Sequence, residues 1–109
     1  MNNKKEIIEE IKERLIERIN PESIILFGST ARGTDVLDSD IDILVVWDEG
    51  SNLPNIQRRI KLRDAIGYVD VPVDLLTCTR DELKAALSDS NSFTSAILKE
   101  GKIIYGRFD

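Results

Sequence analysis

Two apolar runs, Ile24-Ile25-Leu26-Phe27 and Ile43-Leu44-Val45-Val46-Trp47, flank a polar stretch that opens on Gly28-Ser29 and closes on Asp40-Ile41-Asp42. Short apolar runs rich in β-branched residues read as strands. The chain must therefore bring one strand to a glycine corner and enter the next through a pair of carboxylates. Side chains alternate along a strand, so Asp40 and Asp42 point the same way, about 6–7 Å apart. That separation suits two carboxylates gripping one hard divalent cation, or sharing two. A Gly-Ser pair at a strand end lets backbone N–H groups approach a phosphate closely. A phosphate cradle beside a metal clamp is the working hypothesis.

The remaining elements follow from periodicity. Ile7, Ile8, Ile11, Leu15, Ile16 and Ile19 form a helical stripe over residues 3–19, which Asn20-Pro21 stops. Ser23 to Phe27 is the first strand, Thr30 to Arg32 a short helical turn, Asp35 to Ser39 a polar loop and Asp40 to Trp47 the second strand. Pro54 opens a helix whose thin apolar stripe is Ile56, Ile60, Arg63 and Ile66, helped by Leu62 and ended by Gly67. Val69 to Thr77 reads as a third strand, with Pro72 implying an edge or an irregular start. Thr79 and Glu82 have capping-box spacing and open a helix through Leu87. Phe93, Ile97 and Leu98 mark a last helix ending at Gly101, and Lys102 to Tyr105 a closing strand. The expected class is α+β, one small mixed sheet with helices packed against it.

Composition excludes several functions. At 109 residues the chain is expected to be one domain over 1–109. No apolar run approaches the roughly 20 residues that cross a membrane, and no secretion signal is visible, so a cytoplasmic protein is expected. The lone Cys78 fits a reducing compartment and reads as a small buried hydrophobe. Fifteen basic against 20 acidic residues give a net charge of −5. That charge opposes binding along an extended nucleic-acid backbone but not a nucleotide held through metal ions. The chain has no histidine, which removes Ser-His-Asp triads and the usual zinc sites.

Three lookalikes compete for the organising stretch. Gly28 and Gly33 have P-loop spacing, but Thr34 stands where the phosphate-binding lysine belongs and Asp35 would repel phosphate. Asp38, Asp40, Asp42 and Glu49 imitate calcium-loop positions, yet Ile43 stands where the loop needs a glycine. The plainest alternative makes Asp38, Ser39 and Asp40 turn residues. It leaves Asp42 unexplained, since this residue faces the same way as Leu44 and Val46. Asp74 raises the same question between Val73 and Leu75, where an unpaired buried carboxylate is costly. Acidic anomalies on two strands suggest one shared cation site.

Gly28-Ser29-Thr30-Ala31-Arg32-Gly33, followed by Ser39-Asp40-Ile41-Asp42-Ile43-Leu44-Val45, resembles the signature of the DNA polymerase beta-like nucleotidyltransferase superfamily. The tight spacing in a short chain is most similar to the minimal nucleotidyltransferases, and the Leu98-Lys99-Glu100-Gly101 to Ile104-Tyr105 ending shares that look. The resemblance implies a nucleotidyltransferase fold, ATP as substrate and divalent metal, Mg²⁺, in a two-metal site. Matched by position, Asp40 and Asp42 would be metal ligands, and Asp74 the third carboxylate, which activates the attacking hydroxyl. Asp70 shares the parity of Asp74 and is its rival. Gly28 and Ser29 would hold phosphate; Arg32 would face phosphate or pair with an acid such as Asp38.

The resemblance also implies a companion HEPN-type helical protein, often a toxin, held in a hetero-oligomer and adenylylated on a tyrosine. An antitoxin acting by occlusion alone, and a transferase acting on a small molecule, remain the alternatives. The basic run Arg58-Arg59-Ile60-Lys61-Leu62-Arg63 reads either as a solvated helix face or as a docking surface.

Overall fold

The computed structural model describes residues 4–28, 40–50 and 52–106. Along the chain come α1 (Lys4–Arg18), β1 (Ser23–Leu26), β2 (Ile41–Val46), α2 (Asn55–Ile66), β3 (Val73–Cys78), α3 (Arg80–Leu87), α4 (Phe93–Glu100) and β4 (Lys102–Gly106). The fold is mixed α+β, and these elements follow the order that the periodicities predict. The expected turn at residues 30–32 and loop at 35–39 lie outside the described residues.

The strands form one sheet in the order β3-β2-β1-β4. β1 is antiparallel to β2 and to β4, whereas β2 and β3 run parallel. Parallel neighbours cannot be joined by a hairpin, and α2 supplies the crossover. The sheet separates two apolar clusters. Ile24, Leu26, Ile41, Ile43, Val45 and Leu75 meet α1 and α2 on one face. Ile25, Phe27, Leu44 and Val46 meet Leu83 of α3 and Ile97 of α4 on the other. Helices on both faces explain why β1 and β2 are apolar at nearly every position.

α1 buries Ile7, Ile11 and Leu15, the predicted stripe. Asn20 then takes a positive φ of 56° ahead of Pro21, which ends the helical run. α2 departs from expectation. Its buried residues are Arg58, Leu62, Ala65 and Ile66, while Ile56 and Ile60 are 63% and 55% exposed. The helix has turned a charged residue inward because Arg58 finds Glu82 at the start of α3, its Nη1 donating to Oε1 at 3.0 Å. β3 is also shorter than predicted. It begins at Val73, since Pro72 has no N–H to offer and joins the sheet only as an acceptor, through Ile41 N at 2.9 Å.

Candidate active site

The parallel register places Asp42 of β2 directly beside Asp74 of β3, between the pairs Ile41–Val73 and Ile43–Leu75. Adjacent strands lie about 4.8 Å apart, so the two Cα atoms are neighbours at that distance. Both side chains leave the sheet on the face of Leu44 and Leu76, which α3 and α4 cover further along the strands. At the Asp42–Asp74 end Asp42 is half-buried and Asp74 exposed. Burial of Asp74 was the expectation from its apolar neighbours; the structure corrects it. β3 is an edge strand, and its alternation sends Leu75 and Thr77 inward while Asp74 faces out. Asp40 precedes β2 by one residue and is exposed.

The glycine corner touches this pair. Phe27 N donates to the Asp42 carbonyl at 3.1 Å, which carries β1 one step past its last ladder residue. Gly28 follows with φ 64°, a torsion that favours glycine. A Cβ at Gly28 would also collide with the Asp42 carboxylate, lying 3.1 Å from its Cγ. The torsion is what demands glycine; the close side chain is the end of Asp42, which could turn aside. Ser29 and Arg32, the other phosphate-binding candidates, lie outside the described residues.

The rival carboxylate is placed elsewhere. Asp70 sits in the connection between α2 and β3, hydrogen-bonded to the Tyr68 hydroxyl, and that bond pushes the tyrosine pKa up. It lines a pocket with Ile7, Glu10 and Arg14 against α1. Position therefore favours Asp74 as the partner of Asp42.

Among the described residues no three His, Cys, Asp or Glu side chains converge as a ready-made metal cage. Magnesium does not require one: it is commonly held by one or two carboxylates, with waters and substrate phosphates completing its shell. The Asp42–Asp74 couple, with Asp40 two residues away, offers the hard oxygen donors such a shell needs. That donor set suits a divalent cation arriving with a nucleotide.

The opposite end of the same strand pair has different chemistry. Arg58, 5% exposed, is paired with Glu82. The Glu82 carboxyl lies below its ordinary range, chiefly through the Arg58 hydrogen bond and then through the Thr79 backbone. Thr79 and Glu82 form the predicted capping box, Thr79 N donating to Oε1 at 2.8 Å and Glu82 N to the Thr79 hydroxyl at 3.1 Å. Burial, reinforced by Glu82, pushes the Cys78 thiol up to about 11, so it stays protonated and unreactive at neutral pH. Sequence reasoning missed the inward turn of Arg58; Glu82 24 residues later was its only signal.

Residues 5–104 match the nucleotidyltransferase domain family. A Methanocaldococcus jannaschii protein named putative protein adenylyltransferase is 39% identical over 74 residues, covering 67% of this chain and 73% of the relative. A crystal structure of a putative nucleotidyltransferase from Sulfolobus solfataricus aligns at a TM-score of 0.59 and 26% identity, over 94% of this chain and 77% of that one. A toxin–antitoxin crystal structure with AMP-PNP aligns at 0.50 and 26% identity, over 91% of this chain and 73% of that one.

Proposed function

This chain belongs to the nucleotidyltransferase domain family, and on that premise we propose that it transfers AMP from ATP to a tyrosine of a HEPN-type helical toxin, acting as its antitoxin in the cytoplasm. The observation that carries the reading is the side-by-side register of Asp42 and Asp74 against the Gly28 corner. Two carboxylates directly opposite each other weaken a sheet. Neither serves the apolar core, and a bound cation would offset their like charge.

Asp40 and Asp42, with Asp74, would hold Mg²⁺, which when bound supplies positive charge to the triphosphate. The rest of the step falls to the protein. The corner at Gly28 brings backbone close to the phosphates, as Ser29 and Arg32 also would. The acceptor oxygen forms a bond to the α-phosphorus while the bond to the β-phosphate oxygen breaks and pyrophosphate leaves. The hydroxyl proton passes to the Asp74 carboxylate, whose exposed position admits an acceptor from outside. The match to adenylyltransferase relatives supports the group transferred, and the toxin–antitoxin neighbour supports the kind of acceptor.

The direct test mixes the chain, a HEPN-type partner, Mg²⁺ and α-labelled ATP. Label on a partner tyrosine, abolished by a chelator, is the expected result. No label alongside a working control transferase would end the proposal, and protection of cells without label would leave occlusion as the antitoxin's mode of action.

A further inference from the structure

We infer that the outer face of α2 is a docking surface for an acidic amphipathic helix of the acceptor protein, an inference that rests on the reading above for the acceptor's being a protein. Ile56 and Ile60, one helical turn apart, form a single apolar patch and contribute nothing to either core cluster. Their exposure is a consequence of Arg58 taking the inward position. Arg59 and Arg63 flank the patch at helical spacing, Lys61 lies further round the exposed side, and Asp64, beside Ile60, is the one acid in α2. On a chain of net charge −5 this is a local reversal of sign. Arg59 carries a shielded Nε with no hydrogen-bond partner among the described residues.

The ridge ends at the start of β3. Past the end of α2 lies a pocket of about 240 Å³ lined by Arg63, Ile66, Tyr68, Val71, Pro72 and Val73. Arg63 belongs to both ridge and pocket, and its Nη2 donates to the Val73 carbonyl at 3.2 Å. Val73 immediately precedes Asp74. A helix seated on Ile56 and Ile60 would run along α2 on the face of the sheet opposite the Asp42 and Asp74 side chains, with its carboxylates on Arg59 and Arg63. Apolar residues answer the isoleucines and acidic residues the cations, which is the composition assigned to the occupant.

The probe is a fluorescein-labelled synthetic helix with Leu along one face and Glu on its flanks, compared with the same helix carrying Lys for Glu. Anisotropy should show binding of the acidic helix alone. Its affinity should fall about 10-fold or more in Ile56→Asp/Ile60→Asp and in Arg59→Glu/Lys61→Glu, and should weaken with added salt. All four side chains lie outside the apolar clusters, and unchanged melting curves verify the fold. Failure of the acidic helix to bind, equal binding of the two helices, or undiminished binding by the variants would overturn the inference. So would a wild-type dimer that Ile56→Asp/Ile60→Asp dissociates, since a second copy would then cover the face, or a 20-nucleotide single-stranded RNA that outcompetes the acidic helix. ATP binding with Mg²⁺ is measured on the same proteins and should not change in the surface variants. Its absence from the wild type would sink the transferase reading while leaving the docking result intact.

Discussion

The parallel pair of β2 and β3 has two ends that follow opposite rules. At one, Asp42 and Asp74 stand side by side with like charge. At the other, polar groups are matched to partners of opposite character. Thr77 Oγ1 donates to the Val45 carbonyl at 2.9 Å, Asn55 Nδ2 donates to the Thr77 carbonyl at 3.1 Å, and Arg58 meets Glu82 at 3.0 Å. The matched end closes the molecule around a buried cation. The Asp42–Asp74 end gathers like charge, and proteins tolerate such local conflict where a ligand resolves it. On the proposed reading, stability and function are separated along one pair of strands by a few residues.

The sharpest way to break this contrast is Asp42→Asn. Transfer should fall by about 1,000-fold or more, roughly 4 kcal/mol of barrier, while the variant remains folded in a melting curve. A variant that loses activity only because it unfolds would make Asp42 a structural residue. Glu82→Gln probes the matched end. Glutamine can keep the capping box, so the change isolates the charge facing Arg58. Urea denaturation should show a loss of about 2 kcal/mol, below the roughly 3–5 kcal/mol for orphaning a fully buried charge because the Glu82 side chain is itself 52% exposed.

The same pair fixes the sign of a pH effect. A depressed carboxylate stabilises the fold above its ordinary value of 4.5 and loses that contribution as pH falls through its lower folded value. The wild type should therefore lose stability in acid more steeply than Glu82→Gln. The smallest effect sharpens the comparison most. Asp74→Asn should raise metal-free stability by about 0.5 kcal/mol, because it removes a like-charge neighbour. A destabilised variant would mean that Asp74 is held by something other than the proposed ion.

Much of the fold was legible in the sequence, and the misreadings have physical causes. Ile7, Ile11 and Leu15 announced the buried face of α1, and Thr79 with Glu82 announced the start of α3. In α2 the isoleucines were misleading, because periodicity counts apolar residues and cannot see that an arginine has a distant glutamate to meet. Asp74 was singled out for burial among apolar neighbours, and the structure shows it exposed at an edge. Its pairing with Asp42 depends on how two separate strands align, which neither strand reveals alone. Gly28 read as a phosphate corner; that it also lies against the Asp42 carboxylate emerged only in three dimensions.

The alignment of Asp42 with Asp74 also guards against mis-threading. Had β3 settled one residue out of step, Asp74 would fall opposite Ile41 or Ile43 and turn into the dry layer beneath α1 and α2. Stranding a carboxylate there is among the costlier errors a folding chain can make. The acid that burdens the finished sheet thus rejects the nearest wrong ones.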